Sequence, residues 1–301
     1  MLTGLAAAAS AALYLSLASG VTGAPVLAYF VQLPLLFVGL SLGFAPAGLA
    51  SLGSLGLVIL FGGSVAAGVF LVVQIAPTLL AVRQVLLNRQ NDDGSIEWYP
   101  PGQVLGQLVL YAGLVMVLAL LWVRWLTGNI DATFTGAVTA VIADLGATDS
   151  PVAMVGQQIA EYAAIVPGIV AVSWVLMTIV NGAIAQFLAL RSGQVQRQGF
   201  ALAKIFLPVW CGPAFAVATL AAFIVGGDAA YFAQGLAAVL AVPFLLQGLA
   251  VVHSAADRVK SRGLVLTVFY IVLLIFSWPL VGGVVLLGLL EDWAHFRRRL
   301  A

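Results

Sequence analysis

The chain has 301 residues, of which 63% are hydrophobic and 8% charged, with a formal net charge of +1; globular proteins average roughly 25% charged. No Asp, Glu, Lys, Arg or His precedes Arg83, and a water-facing surface cannot be built over that length without charge. A soluble domain is excluded, as is a basic face for nucleic acid, and the lone Cys211 excludes an intrachain disulfide and a cysteine-based metal site.

The fold class implied is all-α, a polytopic integral membrane helical bundle of about eight to ten transmembrane helices, in a single membrane domain over 1–301. Apolar runs interrupted at Gly, Pro and charge predict spans at about 3–19, 25–43, 46–62, 65–82, 105–126, 162–190, 204–226 and 229–253. The breaks fall at Gly20 to Pro25, Ala45-Pro46, Gly62-Gly63-Ser64 and Gly226-Gly227-Asp228. The first run lacks the positive n-region of a signal peptide and leads into another apolar run, so it reads as a retained span. Small residues recur along it at every fourth position: Gly4, Ala8, Ala12, Ser16 and Gly20. Such a stripe lets another helix approach closely, from within the chain or from a partner.

On the second span Tyr29 and Gln32 lie three residues apart, hence on one helical face, beside a kink at Pro34. The connector 83–104 holds the turn Asn91-Asp92-Asp93-Gly94 and then Trp98-Tyr99-Pro100-Pro101, where the chain meets the interface again. The connector 127–161 bears Asp131, Asp144, Asp149 and Glu161, and its segment Thr133 to Leu145 predicts a short interfacial helix. Asp149-Ser150-Pro151 is a helix-start signal, which would carry the sixth helix from near 151 to 190 with a kink at Pro167.

Trp210-Cys211-Gly212-Pro213 has Ala214 where a dithiol motif needs its second cysteine, so it predicts a kink in the seventh span and no redox chemistry. The stretch 263–294 reads as one helix or as a tight hairpin broken at Ser277-Trp278-Pro279. The hairpin is the expectation, with spans at 263–276 and 279–294 and ten spans in all.

Cationic connectors stay cytoplasmic. With the N-terminus inside, Arg83 and Arg89, then Arg191, Arg197 and Lys204, then Arg258, Lys260 and Arg262 all fall on that side, and the hairpin returns Arg297, Arg298 and Arg299 to it. All but one of the twelve cationic residues are placed together, with both termini cytoplasmic in a bacterial inner membrane. The exception is Arg124, held between Trp122 and Trp125 at the outer end of the fifth span.

Polar side chains within spans form two sets. Tyr29, Gln32, Trp174, Tyr231 and Gln234 occupy the outer half and would line a ligand pocket open to the outside. Gln74, Asn181, Gln186, Gln247 and His253 occupy the inner half as a polar plug or coupling surface. The plainer alternative has each amide bonded to a neighbouring helix. His253 and His295 have no third ligand nearby and no HExxH spacing, so no metal site is expected. No intramembrane acidic pair, nucleophile with a base, or phosphate-binding glycine loop is present, so neither an enzyme nor a cofactor is expected.

Two segments together resemble a known family. One is Asn181-Gly182-Ala183-Ile184-Ala185-Gln186 ahead of a basic connector. The other is Gln247-Gly248-Leu249-Ala250-Val251-Val252-His253, followed by Leu289-Leu290-Glu291-Asp292-Trp293 and Phe296-Arg297-Arg298-Arg299. Their order and spacing resemble the YybS-like family of predicted bacterial membrane proteins, a domain of unknown function. The resemblance implies distant kinship with the S components of energy-coupling-factor transporters, in which small residues on an early helix dock a coupling subunit. Two functional readings follow. In one the protein binds or transports an unidentified small solute between its helices. In the other it is a non-transporting scaffold or regulatory partner of envelope or division machinery, contacting another membrane or cytoplasmic protein as well as the lipid bilayer.

Overall fold

The computed structural model describes residues 1–19, 23–144, 162–197, 199 and 205–299. Its elements are helices except for one short hairpin, in accord with the all-α expectation. The helices are α1 (Leu2–Leu15), α2 (Ala24–Ala28), α3 (Leu33–Leu42), α4 (Phe44–Phe70) and α5 (Ala76–Leu86). The two-stranded hairpin β1 (Asn88–Gln90) and β2 (Ile96–Trp98) follows, then α6 (Pro101–Thr127) and α7 (Ile130–Asp144). The remainder is α8 (Val166–Arg191), α9 (Cys211–Ile224), α10 (Asp228–Ala256), α11 (Arg262–Ile275), α12 (Ser277–Ala294) and the short α13 (Phe296–Arg299). Gly20 and the helix-start signal at 149–151 lie outside the described residues.

Among the described residues, five helical stretches are long and apolar enough to cross a bilayer: Ala24–Leu42, Phe44–Leu86, Pro101–Thr127, Ala163–Arg191 and Asp228–Ala256. The second of these has 43 residues. At 1.5 Å per residue it would be about 65 Å long, twice the roughly 30 Å of hydrocarbon it has to cross. Gly63 divides it, with φ +81° and ψ 176°, a conformation open to glycine because it has no Cβ. The expected break at Gly62-Gly63-Ser64 is therefore present. The break expected at Ala45-Pro46 instead falls at Gly43, at φ +104°, which leaves Pro46 in the first turn of α4, where a missing N–H is harmless.

The chain packs as two compact units. Met1–Leu108 with Val175–Lys204 make the first, and Val109–Trp174 with Ile205–Ala301 the second. In the first unit, Ala6, Ala11, Val31, Leu35, Val38, Ala50, Val58, Ala67, Phe70 and Ile75 form an apolar core. Around it Leu49, Leu52, Leu60, Phe61 and Val65 are left exposed, as lipid-facing side chains are. The packing face of α1 is Ala6, Ala7, Ser10 and Ala11, with Ala7 against Gly53. Gly4, Ala8 and Ala12 face outward, and Ser16 turns back to donate to the Leu13 carbonyl at 2.7 Å. The small-residue stripe thus does not build this core.

In the second unit α10 is the central helix. Phe215 stacks on Phe244 across α9 and α10. Gly248 sits against the Val284 backbone and Gly288 against the Phe244 backbone, so α12 runs antiparallel to α10. Glycine is required at both places, because a methyl group would collide with the carbonyl of the facing helix. Two expectations are corrected here. The bend lies at Phe276, and α12 starts level with the C-terminal end of α10 and runs back along it. The arms 263–276 and 279–294 therefore do not stand side by side as a pair of spans: α11 buries none of its residues, and its Tyr270 hydroxyl lies 2.9 Å from His253 near that same end of α10. The span expected at 204–226 is helical only from Cys211, because Pro208 interrupts the chain just upstream. Gly212-Pro213 opens that helix and does not kink it, and Pro167 likewise sits in the first turn of α8.

Candidate functional site: buried amides at two helix breaks

The first unit interrupts two of its helices at proline. A residue at Pro34 cannot donate to the carbonyl four positions back, so α2 and α3 are joined by tight turns over 29–32, with the Leu33 N–H bonded to the Phe30 carbonyl at 3.1 Å. Pro77 has the same effect on the stretch after α4, where residues Leu71–Ile75 widen into a π turn. Both breaks fall near the middle of apolar segments, where water is absent and each carbonyl needs a protein donor.

Buried side-chain amides supply those donors. Gln32 Nε2 donates to the Val73 carbonyl at 3.4 Å, the acceptor that Pro77 cannot serve. Asn181 Nδ2, from α8, donates to the Tyr29 carbonyl at 2.6 Å and to the Met177 carbonyl at 2.9 Å. Ser10 donates to the Val31 carbonyl at 2.8 Å. Gln32 is 0% exposed, Asn181 1% and Gln74 7%. Because carbonyls only accept, these contacts fix the amide orientation. The oxygens point elsewhere, and Gln32 Oε1, Gln74 Oε1 and Asn181 Oδ1 have no hydrogen-bond partner. An unmet buried acceptor costs about 1–3 kcal/mol, and among its described residues this unit holds three on amides.

The expected outer and inner sets are regrouped by this packing. Tyr29 and Gln32 do not share a face: the backbone between them is a turn, and Tyr29 is 50% exposed while Gln32 is fully buried. Asn181, placed in the inner set by sequence, meets the Tyr29 backbone. Gln186 is half-buried, and its Nε2 donates to the Arg197 carbonyl at 2.8 Å. Arg197 in turn donates to the Val85 carbonyl at 3.0 Å and stacks over Trp98. Burial lowers its pKa, and a guanidinium in a protein keeps its charge. The connector between α5 and α6 carries the exposed Arg89–Glu97 pair at 3.0 Å.

Trp174, Tyr231 and Gln234 belong to the second unit. Trp174 stacks 5.9 Å from Tyr111, Gln234 is half-buried, and Tyr231 is buried with its hydroxyl donating to Asp131 at 2.9 Å. Asp228 accepts the Ile130 and Asp131 N–H groups at 3.2 and 3.3 Å and pairs with Arg124. Arg124, at the C-terminal end of α6, therefore has a carboxylate beside it, a pairing that sequence reading missed. Deeper in the unit, Gln247 donates to the Gly288 carbonyl at 3.1 Å and to Asp292 at 2.5 Å. Arg297 pairs with Glu291 at 2.8 Å, the two side chains being 9% and 4% exposed, and donates to the Ile205 carbonyl at 2.9 Å.

A family described as "Predicted membrane protein (DUF2232)" matches residues 8–291. The chain belongs to this family. The match runs from within α1 to within α12, so both proline breaks and the three amides lie inside the family's extent. No curated protein and no solved structure matches the chain.

Proposed function

We propose that this family member binds a small polar solute within its first unit, as a non-catalytic component of a bacterial inner-membrane transport system. The observation that carries the reading is the set of buried amide oxygens beside two broken helices. Polar groups at membrane depth are expensive and mark solute or ion pathways, and interrupted helices are where transporters place their binding sites. Amides and hydroxyls neither take up nor release protons in the physiological range, which favours binding over acid–base catalysis. On this reading the protein is kin to the YybS-like proteins and, more distantly, to the S components of energy-coupling-factor transporters. Its N-terminus and the connectors at 83–100, 191–204 and 257–262 lie on the cytoplasmic side. With α10 ending there, α12 heads back towards the outer face.

A second reading, a scaffold for another membrane protein, is favoured by the outward-facing Gly4, Ala8 and Ala12 of α1, a surface suited to close helix approach. Solute-dependent thermal stabilisation of the detergent-purified chain separates the two. The binding reading expects at least one solute in a broad panel to raise the unfolding midpoint of the parent but not of Gln32→Leu. A panel that moves neither protein, together with a membrane protein co-purifying with the parent and lost on Ala8→Leu, sinks it in favour of the scaffold.

A further inference from the structure

The chemical class of one ligand can be drawn from the donor accounting, given the reading that the buried amides form a binding site. Two of the three amides already use their nitrogen: Gln32 on Val73, and Asn181 on Tyr29 and Met177. Three acceptors are unmet, Gln32 Oε1, Gln74 Oε1 and Asn181 Oδ1, all on side chains more than nine-tenths buried. Gln32 reaches the residue adjoining Gln74, and Asn181 reaches the turn on which Gln32 sits, so the three belong to one neighbourhood. Three unmet acceptors against the single open amide nitrogen of Gln74 favour an electron-poor ligand.

Charge narrows the class. No Asp or Glu occurs before residue 92, so no carboxylate on α1 to α5 can compensate a bound ion. A divalent cation taken out of water without one would keep most of its desolvation penalty, which rises with the square of the charge. A single positive charge among neutral oxygens is tolerated, as carbonyl-lined filters show. Val31, Leu35 and Phe70 are 0% exposed around the breaks, which favours a small ion over a bulky one. We propose that Gln32, Gln74 and Asn181 bind a desolvated alkali-metal cation at the paired helix breaks.

The test uses the full chain purified in detergent in choline buffer free of alkali metal. NaCl, KCl and choline chloride are titrated at constant ionic strength while the thermal midpoint is read. The parent should show a saturable rise with Na+ or K+ and none with choline. Asn181→Leu should lose that rise. Asn181→Asp, which keeps the shape and adds a negative charge, should lower the half-saturating concentration at least tenfold. Thr139→Ala, on α7 in the other unit, should titrate like the parent.

Equal midpoints in choline and alkali salts overturn the proposal, since a buried water alone would give that result. Asn181→Asp and Asn181→Leu both titrating like the parent overturn it too. The same samples keep the two readings apart. Solute stabilisation undiminished in choline refutes the cation while leaving solute binding intact. An alkali shift in a protein that no solute stabilises refutes the solute and leaves the cation.

Discussion

The two units hold buried polarity in different proportions. The first holds it chiefly as neutral amides at proline breaks, with three of their oxygens left unmet. The second holds most of it in ion pairs, Arg297 with Glu291 in its interior and Arg124 with Asp228 nearer its surface, while its buried amide, Gln247, donates to Asp292 and leaves one oxygen unmet. A closed pair locks helices together and has little to offer a ligand. An amide with an unused oxygen does the reverse, because its cost is recovered only when something donates to it. On the proposed reading, the three unmet oxygens of the first unit are where a ligand binds, and the ion pairs of the second hold its helices together.

That contrast can be broken by substitution. The largest effect is expected at the close approach in the second unit. Gly248→Leu or Gly288→Leu forces side-chain atoms into a facing carbonyl and should cost about 3 kcal/mol or more, read as loss of monodisperse protein on gel filtration. A variant as stable as the parent would mean that α10 and α12 do not touch there. Next comes the buried ion pair. Arg297→Ala strands Glu291 at 4% side-chain exposure and should cost about 3–5 kcal/mol, whereas Arg297→Ala with Glu291→Gln should recover part of that in thermal unfolding.

Asn181→Leu removes two donated bonds but also deletes an unmet acceptor. Its stability change should stay within about 1–2 kcal/mol while ligand-dependent stabilisation is lost. A large destabilisation would instead assign Asn181 a structural role like that of Arg297. Arg124→Ala opens a pair whose side chains are 54% and 21% exposed, so a drop of up to about 1 kcal/mol is expected. Arg89→Ala, in a pair 78% and 59% exposed, should leave the midpoint unchanged within error.

Much of the architecture was readable in the chain before any coordinates. Length and hydropathy announce the helices because lipid leaves the backbone few alternatives, and Gly63 and Gly227 mark their own breaks through conformations that side chains resist. Where reading failed, the missing term was a partner distant in sequence. Nothing local to Asn181 points to the Tyr29 carbonyl 152 residues away, and nothing local to Gln32 points to Val73, 41 residues on.

Periodicity also misplaced Tyr29 and Gln32 on one face, since a three-residue spacing predicts a shared face only if the helix is unbroken. Pro34 was visible, but whether it would bend the helix or stop it depended on a donor arriving from α8. The final stretch went astray for a related reason. Ser277-Trp278-Pro279 resembles a turn, yet the direction of α12 is set by the glycine contacts at Gly248 and Gly288, which a linear pattern does not reveal. The candidate site was thus legible as a collection of residue types and not as a grouping.

The claim that the first unit's amides receive a ligand is tested most directly by native mass spectrometry of the parent and Asn181→Leu, released from the same mild detergent. The account predicts a low-mass adduct on the parent that is missing from the variant, with both proteins folded. The same spectrum from both proteins would contradict it.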